Sequence, residues 1–170
     1  MTELKRISGI DINQDMDYQW HEWRIQRIAW VFFGATLLAA LLGLLGQGPL
    51  STARIDAPDG SLALDYERID RANTPTGLTL TLGPNVAPGG VARIFFSREL
   101  MDRISVEEVL PEPESVETSV DGVTYAFEVK DASQQASVRL DFTHKLAGLA
   151  HGVVRLEDRP ELRFDMFVWP

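Results

Sequence analysis

The sequence predicts a mainly β chain: a single N-terminal transmembrane helix followed by an immunoglobulin-like β-sandwich of about eight strands. Three observations predict it. The run Ile28–Gly46, IAWVFFGATLLAALLGLLG, holds nineteen residues without a charge. After Ser51 the chain breaks into short alternating or β-branched runs at roughly ten-residue spacing, punctuated by Gly, Pro and Asp-Gly. The chain also contains no cysteine. An antibody-type Cys…Trp…Cys core is therefore excluded, and the domain has to be held by apolar packing alone.

The apolar run is about 28 Å long as a helix, close to the ~30 Å hydrocarbon core of a bilayer. It has no polar face, as a helix buried against a soluble core would have. Thr36 is its one polar side chain, and a threonine hydroxyl bonds back to a carbonyl one turn earlier. A cleaved signal peptide would have a shorter apolar stretch close to the N-terminus and a small-x-small exit. Here 27 residues precede the run and the exit reads Gly46-Gln47-Gly48-Pro49, so an uncleaved signal anchor is expected. Arg24 and Arg27 stand immediately before the span, with Lys5 and Arg6 further back, and the first basic residue beyond it is Arg54. Basic flanks stay in the cytoplasm. That puts the N-terminus inside and the following domain outside.

Trp20, Trp23 and Trp30 cluster with Arg24 and Arg27 at the entry to the span. Amphipathic rings and arginines suit the headgroup level and predict an interfacial belt. A docking face for another membrane subunit is the alternative. Ala35, Ala39 and Gly43 recur every four residues, which predicts a small-residue helical face where a second backbone can approach closely. The expected organisation is a cytoplasmic tail over 1–16, an interfacial and transmembrane helix over 17–47 with its apolar core at 28–46, a linker over 48–52 and the sandwich over 53–170.

Strands are expected at 53–55, 61–66, 78–82, 91–96, 105–109, 123–129, 137–142, 153–156 and 162–169, with a helical turn or crossover at Ser97–Ile104. Leu78, Leu80 and Leu82 alternate with Thr79 and Thr81, one face apolar and the other polar. The last strand begins amphipathic and ends apolar on both faces at Met166-Phe167-Val168-Trp169, which places that end in a sheet centre, near the membrane or against a partner. Pro58-Asp59-Gly60 and Asp121-Gly122 read as hairpin turns.

No catalytic residue, metal ligand or cofactor site stands out. The chain lacks a G-x-S-x-G elbow and an S-x-x-K nucleophile. His144 and His151 flank Lys145–Ala150, and Asp141 or Asp158 are the nearest further zinc ligands, but the spacing matches no zinc motif and two surface histidines are expected. Glu107, Glu108, Glu112, Glu114 and Glu117 read as a solvated acidic loop, and Tyr66–Thr76 as a charged strand connection with local Glu67/Arg68 and Asp70/Arg71 pairs. Residues beyond the span carry 20 of the 25 acidic and 12 of the 16 basic residues, a formal charge of −8. That disfavours nucleic acid and anionic lipid surfaces as partners.

The segments LDYERIDRANTPTGLTLTL, HEWRIQRIAW and FVWP together resemble a group of bacterial bitopic inner-membrane proteins with a periplasmic β-sandwich domain. The resemblance covers most of the chain and implies a topology and a location, with no activity and no functional residue. Read together, these features point to association rather than catalysis: an accessory protein meeting a membrane partner or a second copy through its helix, or else a tethered sensor of a sugar, peptide or ion.

Overall fold

The computed structural model describes residues 16–43, 50–87 and 89–170. Most of the expected tail, with Lys5 and Arg6, and the exit from the span at 44–49 lie outside the described residues. The chain divides into two compact units, residues 1–38 and 39–170.

Helix α1 runs from Met16 to Leu41, 26 residues and so about 39 Å. Within it Trp20–Leu41 is long and apolar enough to cross a membrane, the one such helix among the described residues. The helix therefore begins well before the uncharged run and takes in the tryptophan- and arginine-rich entry. It ends earlier than the composition suggested. Gly43 has φ 84° and its N–H donates to Ala40 O at 3.0 Å, the left-handed arrangement that terminates helices. Gly43 therefore lies beyond the helix, and of the expected small face only Ala35 and Ala39 stand on it.

The rest is mainly β, with eleven strands among the described residues: β1 (Thr52–Asp56), β2 (Leu62–Glu67), β3 (Ile69–Arg71), β4 (Pro75–Leu82), β5 (Val91–Ser97), β6 (Ile104–Leu110), β7 (Ser115–Thr118), β8 (Gly122–Glu128), β9 (Ala136–His144), β10 (Gly148–Leu156) and β11 (Glu161–Trp169). They form two sheets, ordered β1-β2-β4-β9-β6 and β3-β11-β10-β5-β8-β7. Both contribute to one core. Leu64, Leu80, Leu140 and Phe142 come from the first sheet, and Ile94, Phe96, Phe127 and Val154 from the second. Helix α2 (Arg98–Arg103) carries the chain from β5 in one sheet to β6 in the other and buries Leu100 completely.

Alternation does what period two requires. Leu78, Leu80 and Leu82 are buried while Thr79 and Thr81 are half-buried, and every even residue of β11 from Leu162 to Val168 faces the core. Gly152 pairs with Phe164, whose ring occupies the space a side chain at 152 would need. That ring reaches Tyr66 of the facing sheet at 4.9 Å between centroids. In the β1–β2 turn, the Ser61 hydroxyl and N–H donate to Asp59 at 2.6 and 3.1 Å and hold its carboxyl below the usual range.

Two strands, β3 and β7, lie where charge density suggested loops. At β3 the chain leaves the first sheet after Glu67 and, one residue later, pairs in parallel with the end of β11 in the second. That turns Asp70 inward, where it is 2% exposed, against His144 at the end of β9, which is 0% exposed. The expected Asp70/Arg71 surface pair does not form, nor is His144 a surface histidine. His144 Nε2 lies 3.4 Å from Asp70 Oδ2, a polar contact longer than a good hydrogen bond. The Arg71 N–H donates to Asp70 Oδ1 at 2.7 Å.

Burial pushes the Asp70 carboxyl up, but the His144 ring, the Arg71 N–H and the Thr76 hydroxyl outweigh it and leave Asp70 below the usual 3.8. A depressed folded value stabilises the fold at pH above the unfolded value, and that contribution is lost as pH falls below about 4. Asp70→Ala leaves a buried imidazole without its partner and is expected to cost about 1–3 kcal/mol by urea denaturation at pH 7. The gap between Asp70→Ala and the parent should narrow as pH falls below 4. A constant gap would show that the carboxylate's charge does not contribute.

Candidate functional site

On α1 the spacing of Trp20, Trp23, Arg27 and Trp30 is three, four and three residues. At 100° per residue these four side chains fall within an arc of about 80°, running roughly 15 Å along the axis. All are exposed: Trp20 by 57%, Trp23 by 44% and Trp30 by 69%. Trp20 and Trp23 meet edge to face at 5.7 Å, and the Arg27 guanidinium lies 3.4 Å from the Trp23 ring centroid. Arg24 is also exposed but stands off this stripe. The residues of the expected belt other than Arg24 thus form a column along one face. Ala35, also exposed, and Ala39 lie on a different face, and the Thr36 hydroxyl donates to Phe32 O at 2.9 Å.

The domain carries a second feature, a cleft of 760 Å³ on the outer surface of the first sheet. Its walls come from β1, β2, β4, β6 and β9. Five carboxylates line it, Asp65, Glu67, Glu107, Glu108 and Asp141, against a single guanidinium, Arg139. Arg139 Nε donates to both Asp141 oxygens, at 2.8 and 3.1 Å. Gly77 pairs with Asp141 across the strands, and the carboxylate lies in the space a side chain at 77 would fill. Thr52 donates to Glu67 at 3.2 Å and Thr143 to Glu107. A register shift in β6 between Val106 and Glu108 brings adjacent glutamates to the same wall. Chemically the cleft offers acceptors to cations and to donor-rich ligands.

The acidic run singled out in the sequence is not one loop. Glu107 and Glu108 belong to β6 in the first sheet, whereas Glu117 belongs to β7 in the second, 3.6 Å from Arg93. The two histidines do not converge either. His144 faces Asp70 inside the core, and His151 on the outer face of β10 lies 2.5 Å from Asp165. Among the described residues no three His, Asp or Glu side chains are grouped to hold a metal ion. The cleft itself escaped sequence reading because its walls come from five strands spread over ninety residues. The aromatic column was readable from its three-four-three spacing.

No model of a known protein family matches the chain, and no curated protein matches its sequence.

Five carboxylates that line one cleft repel one another. Screening should relieve that repulsion, because the Debye length falls from about 30 Å at 0.01 M salt to about 8 Å at 0.15 M. The thermal midpoint is therefore expected to rise with NaCl over that range, and Glu108→Gln to flatten the rise. A midpoint that falls with salt would mean the cleft's charges are already compensated.

Proposed function

We propose that this chain is a non-enzymatic accessory protein of the bacterial inner membrane, docking on a larger membrane complex, a periplasmic partner or a second copy of itself. In this reading α1 is an uncleaved signal anchor with its N-terminus in the cytoplasm, where Arg24 and Arg27 stand. The β domain is an immunoglobulin-like sandwich in the periplasm. Two sheets around one core and a length of about 120 residues support that comparison, while the parallel pairing of β3 with β11 departs from it.

The observation that carries the proposal is the column of Trp20, Trp23, Arg27 and Trp30. Residues that serve only as lipid anchors gather at headgroup depth around the helix. A one-sided column of about 15 Å reaches past that level, and a pre-formed tryptophan–arginine stack suits a protein surface. Large aromatic and arginine side chains are also the commonest energetic anchors of interfaces. The resemblance to bacterial bitopic proteins agrees with the topology.

Gentle detergent extraction of the tagged chain should bring a partner membrane protein, or a second copy, in fixed ratio. Trp23→Ala is expected to weaken that association by about 2 kcal/mol, some thirtyfold, whereas Phe33→Leu on another face should not. A parent chain that extracts as a lone monomer would sink the proposal.

Topology is testable separately, since the chain has no cysteine to remove. Gln135→Cys is expected to react with a membrane-impermeant maleimide from the periplasmic side of spheroplasts without lysis. Labelling only after lysis would invert the assignment.

The acidic cleft favours a second reading, a tethered binding module for a cationic or hydroxyl-rich ligand such as a peptide, sugar or ion. Titration of the full chain with a lysine-rich peptide tests it. Micromolar binding lost in Glu108→Gln would support it over pure docking.

A further inference from the structure

The outward column of β11 changes character along its length. Glu161, Arg163 and Asp165 come first, then Phe167 and Trp169, while the intervening residues all face the core. Its neighbour β10 keeps step: Glu161 stands opposite Arg155, Asp165 opposite His151, and Phe167 opposite Leu149. Charged pairs thus give way to an apolar pair within four residues. Phe167 and Trp169 are 42% and 41% exposed and meet edge to face at 5.1 Å. Leu149 is 50% exposed, and Leu146, in the β9–β10 connection, 57%. The strand is second from the sheet's edge, so centrality does not account for its apolar end.

This rim is also where the chain enters the domain. The Phe167 N–H donates to Arg68 O, the Arg68 N–H to Ser51 O, and the Arg68 guanidinium to Leu50 O. Leu50 is itself 45% exposed. Only residues 42–49 separate it from the end of α1, a reach of about 30 Å even if fully extended. Exposed cations fringe the rim: Arg68, Arg71 opposite Trp169, and Lys145 beside Leu146. Of the carboxylates close in sequence to these residues and to Phe167, Glu67 accepts from Thr52, Asp165 meets His151, and Asp70 is buried. The cleft carboxylates lie on the outer face of the other sheet, and at physiological salt charges beyond about 8 Å are screened.

We propose that this rim is a membrane-contacting surface, with Leu149, Phe167 and Trp169 seated at the headgroup level of the bilayer and Arg68, Arg71 and Lys145 meeting lipid phosphates. Tryptophan and phenylalanine flanked by cations is the composition of interfacial anchors, and the short leash keeps the rim within reach of that surface. The inference rests on α1 being a membrane span, but not on the existence of a protein partner.

The test uses the full chain with single cysteines carrying the fluorophore NBD: Leu149→Cys on the rim, Gln135→Cys at the opposite end of the domain and Leu37→Cys in α1. Each is reconstituted into phosphatidylcholine–phosphatidylglycerol vesicles containing two brominated lipids, one with bromine near the headgroup and one with bromine near the bilayer centre. Quenching is expected at Leu149→Cys and Leu37→Cys and not at Gln135→Cys. Phe167→Asp with Trp169→Asp should abolish quenching at Leu149→Cys, and Arg71→Gln should lower the docked-to-undocked ratio about fivefold in these anionic vesicles. Quenching at Leu37→Cys without quenching at Leu149→Cys overturns the proposal and leaves the span intact. No quenching at either site overturns both. Quenching that survives the double aspartate variant assigns the effect to the dye and overturns the proposal, as does quenching at Leu149→Cys that changes when protein is diluted tenfold in lipid, which would put a second copy on the rim.

Discussion

The contact between Asp70 and His144 sets the geometry of the end of the domain where the chain enters. With no disulfide, the two sheets are held by apolar packing except at this end, where a strand of three residues crosses from one sheet to the other. Asp70 is the middle residue of that strand and faces His144, the last residue of β9 in the other sheet. The flanking backbone is tied in as well, Ala72 N–H to Trp169 O and Asn73 N–H to His144 O. Replacing such a pair by apolar residues is often tolerated energetically. Its role here is positional: it decides which way Ile69 and Arg71 face and so how the end of β11 is presented.

Much of the architecture could be read from the residues, and the reasons are local. An uncharged run of nineteen residues has few physical solutions, and strict leucine–threonine alternation has one. Asp-Gly turns sit where the β1–β2 and β7–β8 pairs need them. The elements that escaped reading, β3 and β7, are three and four residues long and rich in charge. Their strand character comes from the neighbours they join and not from their own propensity. Asp70 and His144 are 74 positions apart, and nothing in either neighbourhood announces the other. Gly43 is the converse case. Its spacing fits a helical face, but its freedom to take positive φ lets the chain leave the helix there.

Charge is segregated on the domain in a way that net composition conceals. Carboxylates gather in the cleft on the outer face of the first sheet, whereas the rim of the second bears cations around exposed rings. Anchoring and recognition can therefore use different chemistry on different surfaces. A docked domain would also lose rotational freedom, so that any partner of the cleft would meet it already oriented, with less entropy to lose on binding.

The partial cover of β11 has its own consequence. On the side away from β10 this strand pairs with β3 only over Phe167–Trp169, and along Glu161–Met166 no other strand is paired there among the described residues. Along those six residues, the backbone groups of every second residue point away from β10 and can template an incoming strand from another molecule. The outward positions of that stretch are Glu161, Arg163 and Asp165, and Arg163 Nε donates to Glu161 at 2.9 Å. Those charges are expensive to stack against their own copies. Those three side chains are the guard this open stretch carries against strand addition.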